Sequence, residues 1–330
     1  MDYKYPTPQL LFKAICNAIR SKTGNSDEIP HQNIPDELDS IIAKEEEYNI
    51  EMQRFIDIIG GTSFINDRIT TVRSELFNSC TSLTTIDLPK CTSIGSYAFR
   101  DCTSLTTIDL PECTSICDRA FNSCTSLATI DLPECTYIDN YAFYKCKSLT
   151  TVNLPKCTSI DYGAFGNCTS LTTINLPEYT SIGSEAFYGC TNLATIDLPK
   201  CTTIGSSVFS GCTSLTTANL PKCTSIDGYA FRNCTTLATI DLPECTSIEI
   251  YTFNDCTKLT TVILSNNQVA TLNDIGAFKN SSISRGTGYI YVPDNLVDSY
   301  KTATNWSTYA NQIKPINELP SNLKEEYGYE

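Results

Sequence analysis

Apolar residues recur along the chain with one fixed period. Phenylalanine occupies every 22nd position from Phe77 to Phe253 without a slip. Around each phenylalanine the same phrase returns, as in the stretch from Cys102 to Pro111. A period in the 20s is typical of a solenoid, in which coils that cannot bury their own apolar side stack into one elongated core. The chain is therefore predicted to be a repeat solenoid with coils of 22 residues.

Within each coil the apolar positions predict two short β-strands. Leu105, Ile108 and Leu110 are expected to point inward, and the threonines and the aspartate between them to point outward. A second segment buries Ile94 and, a few residues later, Phe99. Stacked copies of these segments would form parallel sheets whose edges are open only at the two ends.

The limits of this pattern divide the chain into five segments. Residues 1–61 have apolar residues at helical spacing and are expected to form an α-helical N-terminal segment for attachment or oligomerisation, with a helix packed on its own domain as the alternative. Residues 62–79 read as a degenerate capping repeat, and 80–264 as the regular solenoid. Residues 265–319 read as a mixed C-terminal cap, and 320–330 as an acidic, loosely attached tail.

The cap has its own pattern. Residues 289–293 are expected to form a strand, and the aromatic residues Tyr300, Trp306 and Tyr309 to cover the open end of the core from a helical segment. This closure matters because an open end would leave apolar surface and unpaired strands exposed to solvent.

The 18 cysteines follow the repeat as well. Nine form a first column that runs from Cys80 to Cys256. Seven form a second column from Cys91 to Cys245, in which Tyr179 takes the place of one cysteine. Cys16 and Cys117 lie outside both columns. Such regularity indicates small buried thiols that pack a turn. Neighbouring coils are close enough for disulfide pairing, but nine cysteines in one column cannot all pair. We expect both columns to be largely reduced. A zinc site is not expected, because the sequence has no Cys-x-x-Cys motif and no histidine near the cysteines.

The charge of the chain excludes some classes of partner. Its 23 basic and 37 acidic residues give a formal charge of -14, which argues against nucleic acid and anionic membranes. No run approaches the roughly 18 apolar residues of a membrane span. No basic start or apolar core of a secretory signal follows Met1, so a standard export route is not expected.

No motif predicts catalysis. His31 is the single histidine, and no Ser or Cys partner is placed near it by any motif. No cofactor or metal is expected either. The column of Asp and Asn residues from Asp87 to Asp241 would suit calcium, but its asparagines relieve the repulsion between carboxylates without a cation. We therefore predict that the chain is not an enzyme.

The repeated phrase at residues 80–89 and 92–99 resembles the BspA-like, or Treponema-type, leucine-rich repeats, and the likeness extends over roughly residues 62–316. The resemblance implies a surface-exposed protein that binds host proteins or other cells. Residues 11–42 resemble a short two-helix module of tail-associated proteins of phages and prophages. That likeness implies association with a virion. The apolar stripe of the N-terminal helices would suit a homo-oligomer, and a virion or cell-surface location is expected.

Variation between coils points to a binding surface. The threonine row of the first strand scarcely changes, whereas the columns after each second strand vary and are rich in Tyr and Arg, the residue types common in binding hot spots. The candidate binding residues are Tyr97, Arg119, Tyr141, Tyr144, Tyr162, Tyr188, Tyr229, Arg232 and Tyr251. The expected function is non-enzymatic binding or adhesion to a protein or cell-surface receptor. The alternatives are drift at a free surface, a partner on the threonine face, and a structural spacer or virion decoration protein without a specific ligand.

Overall fold

The structure is a computed structural model that describes residues 62–67 and 69–329. Coils stack along one axis, and the strand pairs within this range are parallel and join equivalent residues of successive coils, as Thr85 with Thr107. The predicted fold, a solenoid of 22-residue leucine-rich-repeat coils with short parallel strands, is confirmed. The expected α-helical segment, residues 1–61, lies outside the described residues.

Each regular coil contributes one strand to each of two sheet columns. The first column contains β1 (Ser63–Ile65), β3 (Thr85–Asp87), β5 (Thr107–Asp109), β7 (Thr129–Asp131), β9 (Thr151–Asn153), β11 (Thr173–Asn175), β13 (Thr195–Asp197), β15 (Thr217–Asn219), β17 (Thr239–Asp241), β19 (Thr261–Ile263), β21 (Tyr289–Val292) and β22 (Ile313–Pro315). The second contains β2 (Thr71–Val72), β4 (Ser93–Ile94), β6 (Ser115–Ile116), β8 (Tyr137–Ile138), β10 (Ser159–Ile160), β12 (Ser181–Ile182), β14 (Thr203–Ile204), β16 (Ser225–Ile226), β18 (Ser247–Ile248) and β20 (Thr271–Leu272). Strand β2 pairs with β4 in the register expected of a degenerate first repeat.

The core is one continuous apolar column from Phe64 to Ile313. Leu105, Ile108 and Leu110 are buried as predicted, while the threonines between them are exposed. The repeat phenylalanines are fully buried and stack ring on ring along the axis. Their centroids are 4.9 Å apart between Phe77 and Phe99 and 5.8 Å apart between Phe187 and Phe209. Each ring therefore supports the coil on either side of it.

Tyr179 marks an irregularity in the stack. Its ring replaces a thiol in the second cysteine column, is fully buried, and donates its hydroxyl to Sγ of Cys157 at 2.7 Å. The pairing of the second sheet stops between β10 and β12, on either side of this coil. The Phe165–Phe187 centroid distance also widens there to 5.7 Å. Because tyrosine is much larger than cysteine, its ring separates the neighbouring coils.

The column cysteines are buried, and no disulfide joins any of the cysteines that the structure describes. In the first column each thiol from Cys102 onward donates to the carbonyl oxygen of a phenylalanine in the preceding coil, as Cys168 does to Phe143 at 3.2 Å. In the second column the thiol donates within its own coil, as Cys201 does to Thr203 at 3.2 Å. Burial raises the pKa of the Cys168 thiol well above its usual range. These thiols therefore act as small structural hydrogen-bond donors.

We expect thiol reagents to distinguish the columns from Cys117, which is half-buried. A Cys16→Ser variant treated with N-ethylmaleimide under native conditions should be modified at Cys117 alone, because the column thiols are buried and out of reach of the reagent. Unfolding in guanidinium should release the remaining cysteines to the reagent, with peptide mass spectrometry as the readout. Alkylation without reductant that recovers several disulfide-linked pairs from adjacent coils would contradict this expectation.

The C-terminal cap closes the core with aromatic residues, as predicted. It contains α1 (Val297–Thr302) and 3-10 turns at Ile275–Phe278, Asp294–Leu296, Trp306–Gln312 and Ile316–Glu318. Trp306 packs on Phe278 at 6.1 Å and donates from Nε1 to the carbonyl oxygen of Ala270 at 2.6 Å. The Tyr300 hydroxyl accepts from the Ala270 amide at 3.0 Å. Both aromatic side chains are thus fully buried with their polar atoms satisfied.

The prediction of a loose tail at residues 320–330 is wrong for the described part of it. Residues Ser321–Tyr327 form a helix, α2, which packs with Leu319 and Tyr329 against Ile263 and Tyr291 of the first sheet. The Tyr329 hydroxyl donates to the Asp241 carboxylate at 2.8 Å, and burial raises the pKa of Asp241 to about 6. The acidic composition concealed an apolar helix face that covers the last coils.

Candidate functional site

The candidate residues lie on the turns that follow the second sheet, which we call the turn face: residues 96–101 and their equivalents in other coils. Backbone N–H groups here donate along the axis to the next coil. Tyr97 donates to Asp118 at 2.8 Å, and Phe99 to Ala120 at 2.7 Å. These axial hydrogen bonds join the turns of successive coils, as strand pairing joins the sheets.

Two positions in each turn have left-handed backbone conformation. One column consists of Ser79, Asp101, Ser123, Lys145, Asn167, Gly189, Gly211, Asn233 and Asp255. Most of these are Asn, Asp or Gly, the types that tolerate a positive φ. The other column consists of Glu75, Tyr97, Arg119, Tyr141, Gly163, Glu185, Ser207, Tyr229 and Tyr251. Tyrosine and arginine at φ between 52° and 61° are unusual, because Cβ approaches the backbone carbonyl in this conformation.

The structure brings five candidates together as an N-terminal tyrosine cluster: Tyr97, Arg119, Tyr141, Tyr144 and Tyr162. The Arg119 guanidinium lies between two rings, 5.6 Å from the Tyr97 centroid and 4.6 Å from that of Tyr141. Its Nη1 also donates to the Tyr97 hydroxyl at 3.0 Å and pairs with Asp118 at 2.8 Å. The Tyr141 ring contacts Tyr144 and Tyr162 edge to face at 5.3 and 5.2 Å. The cluster spans successive coils.

Two glycines give the cluster room. A Cβ on Gly163 would lie 2.8 Å from the Tyr141 ring, and one on Gly166 would lie 2.9 Å from the Tyr144 ring. The tyrosines therefore lie flat over the next coil, and any larger residue in place of either glycine would lift them. Because the rings are supported from below, they are held in one orientation.

Tyr229, Arg232 and Tyr251 form a second group, which with Lys279 we call the C-terminal tyrosine cluster. The Tyr229 and Tyr251 centroids are 5.4 Å apart, and Arg232 lies 5.9 Å from the Tyr229 centroid. The coils that carry Glu185 and Ser207 separate the two clusters. Tyr188 stands between them, 42% exposed, and belongs to neither.

The sequence analysis missed two exposed residues of this end. Ile250 and Ile275 are 39% and 55% exposed, and they occupy the column that also contains Tyr162. That column varies as much between coils as the columns of the other candidates, so its variation was the available signal. Phe278 follows Phe253 by 25 residues instead of 22, which obscured the equivalence of Ile275 with Ile250.

The first-sheet face is the alternative surface. Its Thr and Asp side chains are mostly exposed, and two asparagines bond to aspartates of the preceding coil: Asn153 to Asp131 at 2.9 Å and Asn219 to Asp197 at 2.7 Å. These amides relieve the repulsion between stacked carboxylates. Among the described residues, no group of His, Cys, Asp or Glu side chains is arranged to hold a metal ion. The helices of residues 62–329 that the structure describes include none that could cross a bilayer.

The repeat geometry agrees with a match to a known family. The model for the BspA type leucine rich repeat region, of six copies, matches residues 70–193 and again residues 180–303. The chain belongs to the BspA-type leucine-rich repeat family. No curated protein matches it. The resemblance of residues 11–42 to a phage tail module stays a prediction, since those residues lie outside the described range.

Several solved structures of leucine-rich repeat proteins are similar to this chain. A leucine rich repeat protein of T. pallidum is 28% identical over 54% of this chain and 78% of its own, with a TM-score of 0.40. A leucine-rich repeat protein of Bacteroides ovatus is 21% identical over 75% and 88%, with a TM-score of 0.31. A leucine rich cell surface protein of Faecalibacterium prausnitzii is 22% identical over 63% and 80%, with a TM-score of 0.36.

Proposed function

We propose that the chain is a non-enzymatic binding protein that holds a protein or cell-surface partner on its turn face. Leucine-rich-repeat solenoids typically act as binding or adhesion scaffolds. The observation that carries the proposal is the occupation of a left-handed backbone column by tyrosine and arginine. In the parallel column, residues suited to this conformation predominate.

The left-handed backbone conformation makes tyrosine and arginine at these positions unfavourable for the stability of the fold. A left-handed residue with a Cβ costs roughly 1–2 kcal/mol compared with glycine, and Gly163 demonstrates that glycine fits this column. Contact between Arg119 and the tyrosine rings recovers only about 0.5–1 kcal/mol at an exposed site. Strained side chains that fold stability does not require are typical of binding surfaces.

The arrangement also suits recognition. Tyr141 and Tyr144 are half-buried rings supported by Gly163 and Gly166, so they lose little conformational freedom when a partner covers them. Tyrosine combines a large apolar ring with a hydroxyl, which is why it is common at binding hot spots. The turn face therefore offers ordered aromatic anchors on a rigid support.

The proposal is tested with a turn-face variant that combines Arg119→Gly, Tyr141→Gly and Tyr144→Ala. Glycine is used at the left-handed positions because it adopts that backbone freely. The full chain is first used to capture partners from bacterial envelope and host extracellular proteins. Affinity for a captured partner should then fall about tenfold or more in the variant, as expected when hot-spot side chains are lost.

The matched control is a sheet-face variant in which Thr107, Asp109, Thr129 and Asp131 are replaced by alanine. It should bind the partner as the parent does, and both variants should keep the parent's thermal unfolding midpoint. Loss of affinity in the sheet-face variant alone would place the partner on the threonine face. Failure of the parent to capture any partner would favour the structural spacer or virion decoration protein.

The attachment element is proposed to be residues 1–61, and the site of attachment a virion tail or a cell surface. The likeness of residues 11–42 to a tail-associated module supports this proposal. Deletion of residues 1–61 should abolish attachment or oligomerisation while leaving partner binding by the solenoid intact.

A further inference from the structure

The two tyrosine clusters differ in the pairing of their arginines. Arg100 and Arg119, at the N-terminal end, each pair with the carboxylate of a neighbouring aspartate. Arg232 and Lys279 make no ion pair within the part of the chain that the structure describes. Each lies instead over a tyrosine ring, Arg232 over Tyr229 at 5.9 Å and Lys279 over Tyr251 at 5.8 Å.

Carboxylates nearby have other partners. Glu249 accepts hydrogen bonds from Ser247 and Asn273. Asp255 accepts from Asn280 at 2.9 Å, and Asp274 accepts from the backbone amide of Gly276 at 2.6 Å. Two positive charges thus remain unmatched on a chain whose net charge is -14.

Apolar surface adjoins these cations. Ile250 and Ile275, in equivalent positions of successive coils, are two of the most exposed large apolar side chains in the described chain. Beside Ile275 lies an open cleft of about 620 Å³, lined also by Tyr251, Lys279, Thr308 and Gln312. A cleft of this size accepts a few side chains of a ligand. Its wall combines an aliphatic side chain, aromatic rings, a cation, an amide and the carboxylate of Asp274, which accepts a hydrogen bond from the Gly276 amide.

We propose that this surface, the C-terminal patch, binds an acidic amphipathic peptide segment of a protein partner. Aliphatic side chains of the segment would cover Ile250 and enter the cleft over Ile275, and its carboxylates would pair with Arg232 and Lys279. The inference rests on the proposed function and names the chemistry of the partner at one end of the same face. An anionic polysaccharide would satisfy the cations but would leave both isoleucines exposed, so a peptide fits better.

The test is selection of a random dodecapeptide library displayed on phage against the full immobilised chain. Enriched peptides should place Asp or Glu within a few residues of Leu, Ile or Phe. A synthetic copy of the leading peptide, labelled with fluorescein, should lose about tenfold in affinity against an Arg232→Glu, Lys279→Glu variant. Ile275→Ser should weaken binding several-fold, since it removes apolar contact without a change in charge. Rising salt should weaken binding of the parent.

The control is Lys90→Glu. Lys90 is exposed and lies outside the turn face, and this substitution changes the charge of its site by the same amount as each substitution in the patch. It should leave the affinity for the peptide unchanged. Enrichment of peptides without acidic residues, equal binding by the doubly substituted variant, or no enrichment would overturn the inference. So would binding of heparin to the parent with an affinity that Ile275→Ser does not alter. These outcomes are independent of the Tyr141 and Tyr144 test, so the patch can fail while the turn-face proposal stands.

Discussion

Phe165→Ala should lower the free energy of unfolding by about 3–5 kcal/mol, the range measured for removal of a fully buried aromatic ring. Phe165 is fully buried and stacks between Phe143 at 5.3 Å and Phe187 at 5.7 Å, so its loss opens a cavity in the middle of the column. Chemical denaturation followed by circular dichroism measures the change.

The matched control for this experiment is Tyr188→Ala. Its ring is 42% exposed and lies in an equivalent stretch of the next coil, so the free energy of unfolding should change by about 0.5 kcal/mol or less. A Phe165→Ala protein with the thermal stability of the parent would refute the role given to the phenylalanine column.

Trp306→Ala should have a comparable effect by opening the C-terminal end of the core. The indole covers Phe278, contacts Tyr300 edge to face at 5.3 Å and donates a hydrogen bond to Ala270. Its removal should cost about 3–5 kcal/mol. It should also expose the terminal rings, since a solenoid depends on its caps for solubility.

Thermal unfolding and the fluorescence of a dye that binds apolar surface would report the two effects of Trp306→Ala. Ser307→Ala is the control, because Ser307 is the next residue and is exposed. If both substitutions behave alike, the cap contributes nothing that the regular coils do not already provide.

The repeat period was sufficient to predict most of the fold. The spacing of the phenylalanines predicted the buried column, and the alternation around Ile108 predicted which side chains face the core. Cap residues Tyr300 and Trp306 were also predicted, because large aromatic residues after the last regular repeat have only the open end to cover. In each case the buried residue is apolar and the pattern is local.

Features that depend on axial contacts could not be predicted in the same way. The left-handed backbone of Tyr97 follows from hydrogen bonds to the next coil, and its residue type gives no hint of it. The hydrogen bond from the Cys168 thiol to the Phe143 carbonyl oxygen joins residues 25 positions apart, so the sequence around either residue does not predict its partner. Helix α2 was missed because Glu325 and Glu326 stand between Leu323 and Tyr327, the two residues of the helix that pack on the cluster of Ile263, and so hide the apolar spacing.

The candidate site was predicted in part. Variation between coils selected residues that the structure gathers, except for Tyr188, into two clusters. It gave no reason to separate the clusters or to prefer one of them. The unmatched charges of Arg232 and Lys279 depend on which carboxylates lie within reach. Only three-dimensional contacts supply that information.

The axial hydrogen bonds of the turn face have a consequence for array length. Because every coil offers the same donors and acceptors, the gain or loss of one whole repeat leaves each coil with equivalent neighbours. The coil that carries Ser207 could therefore be duplicated or deleted without altering the residues of either tyrosine cluster. Their separation would change in steps of about 5 Å, the distance between neighbouring strands. Repeat number would thus set the distance between the two proposed binding clusters and leave their chemistry unchanged.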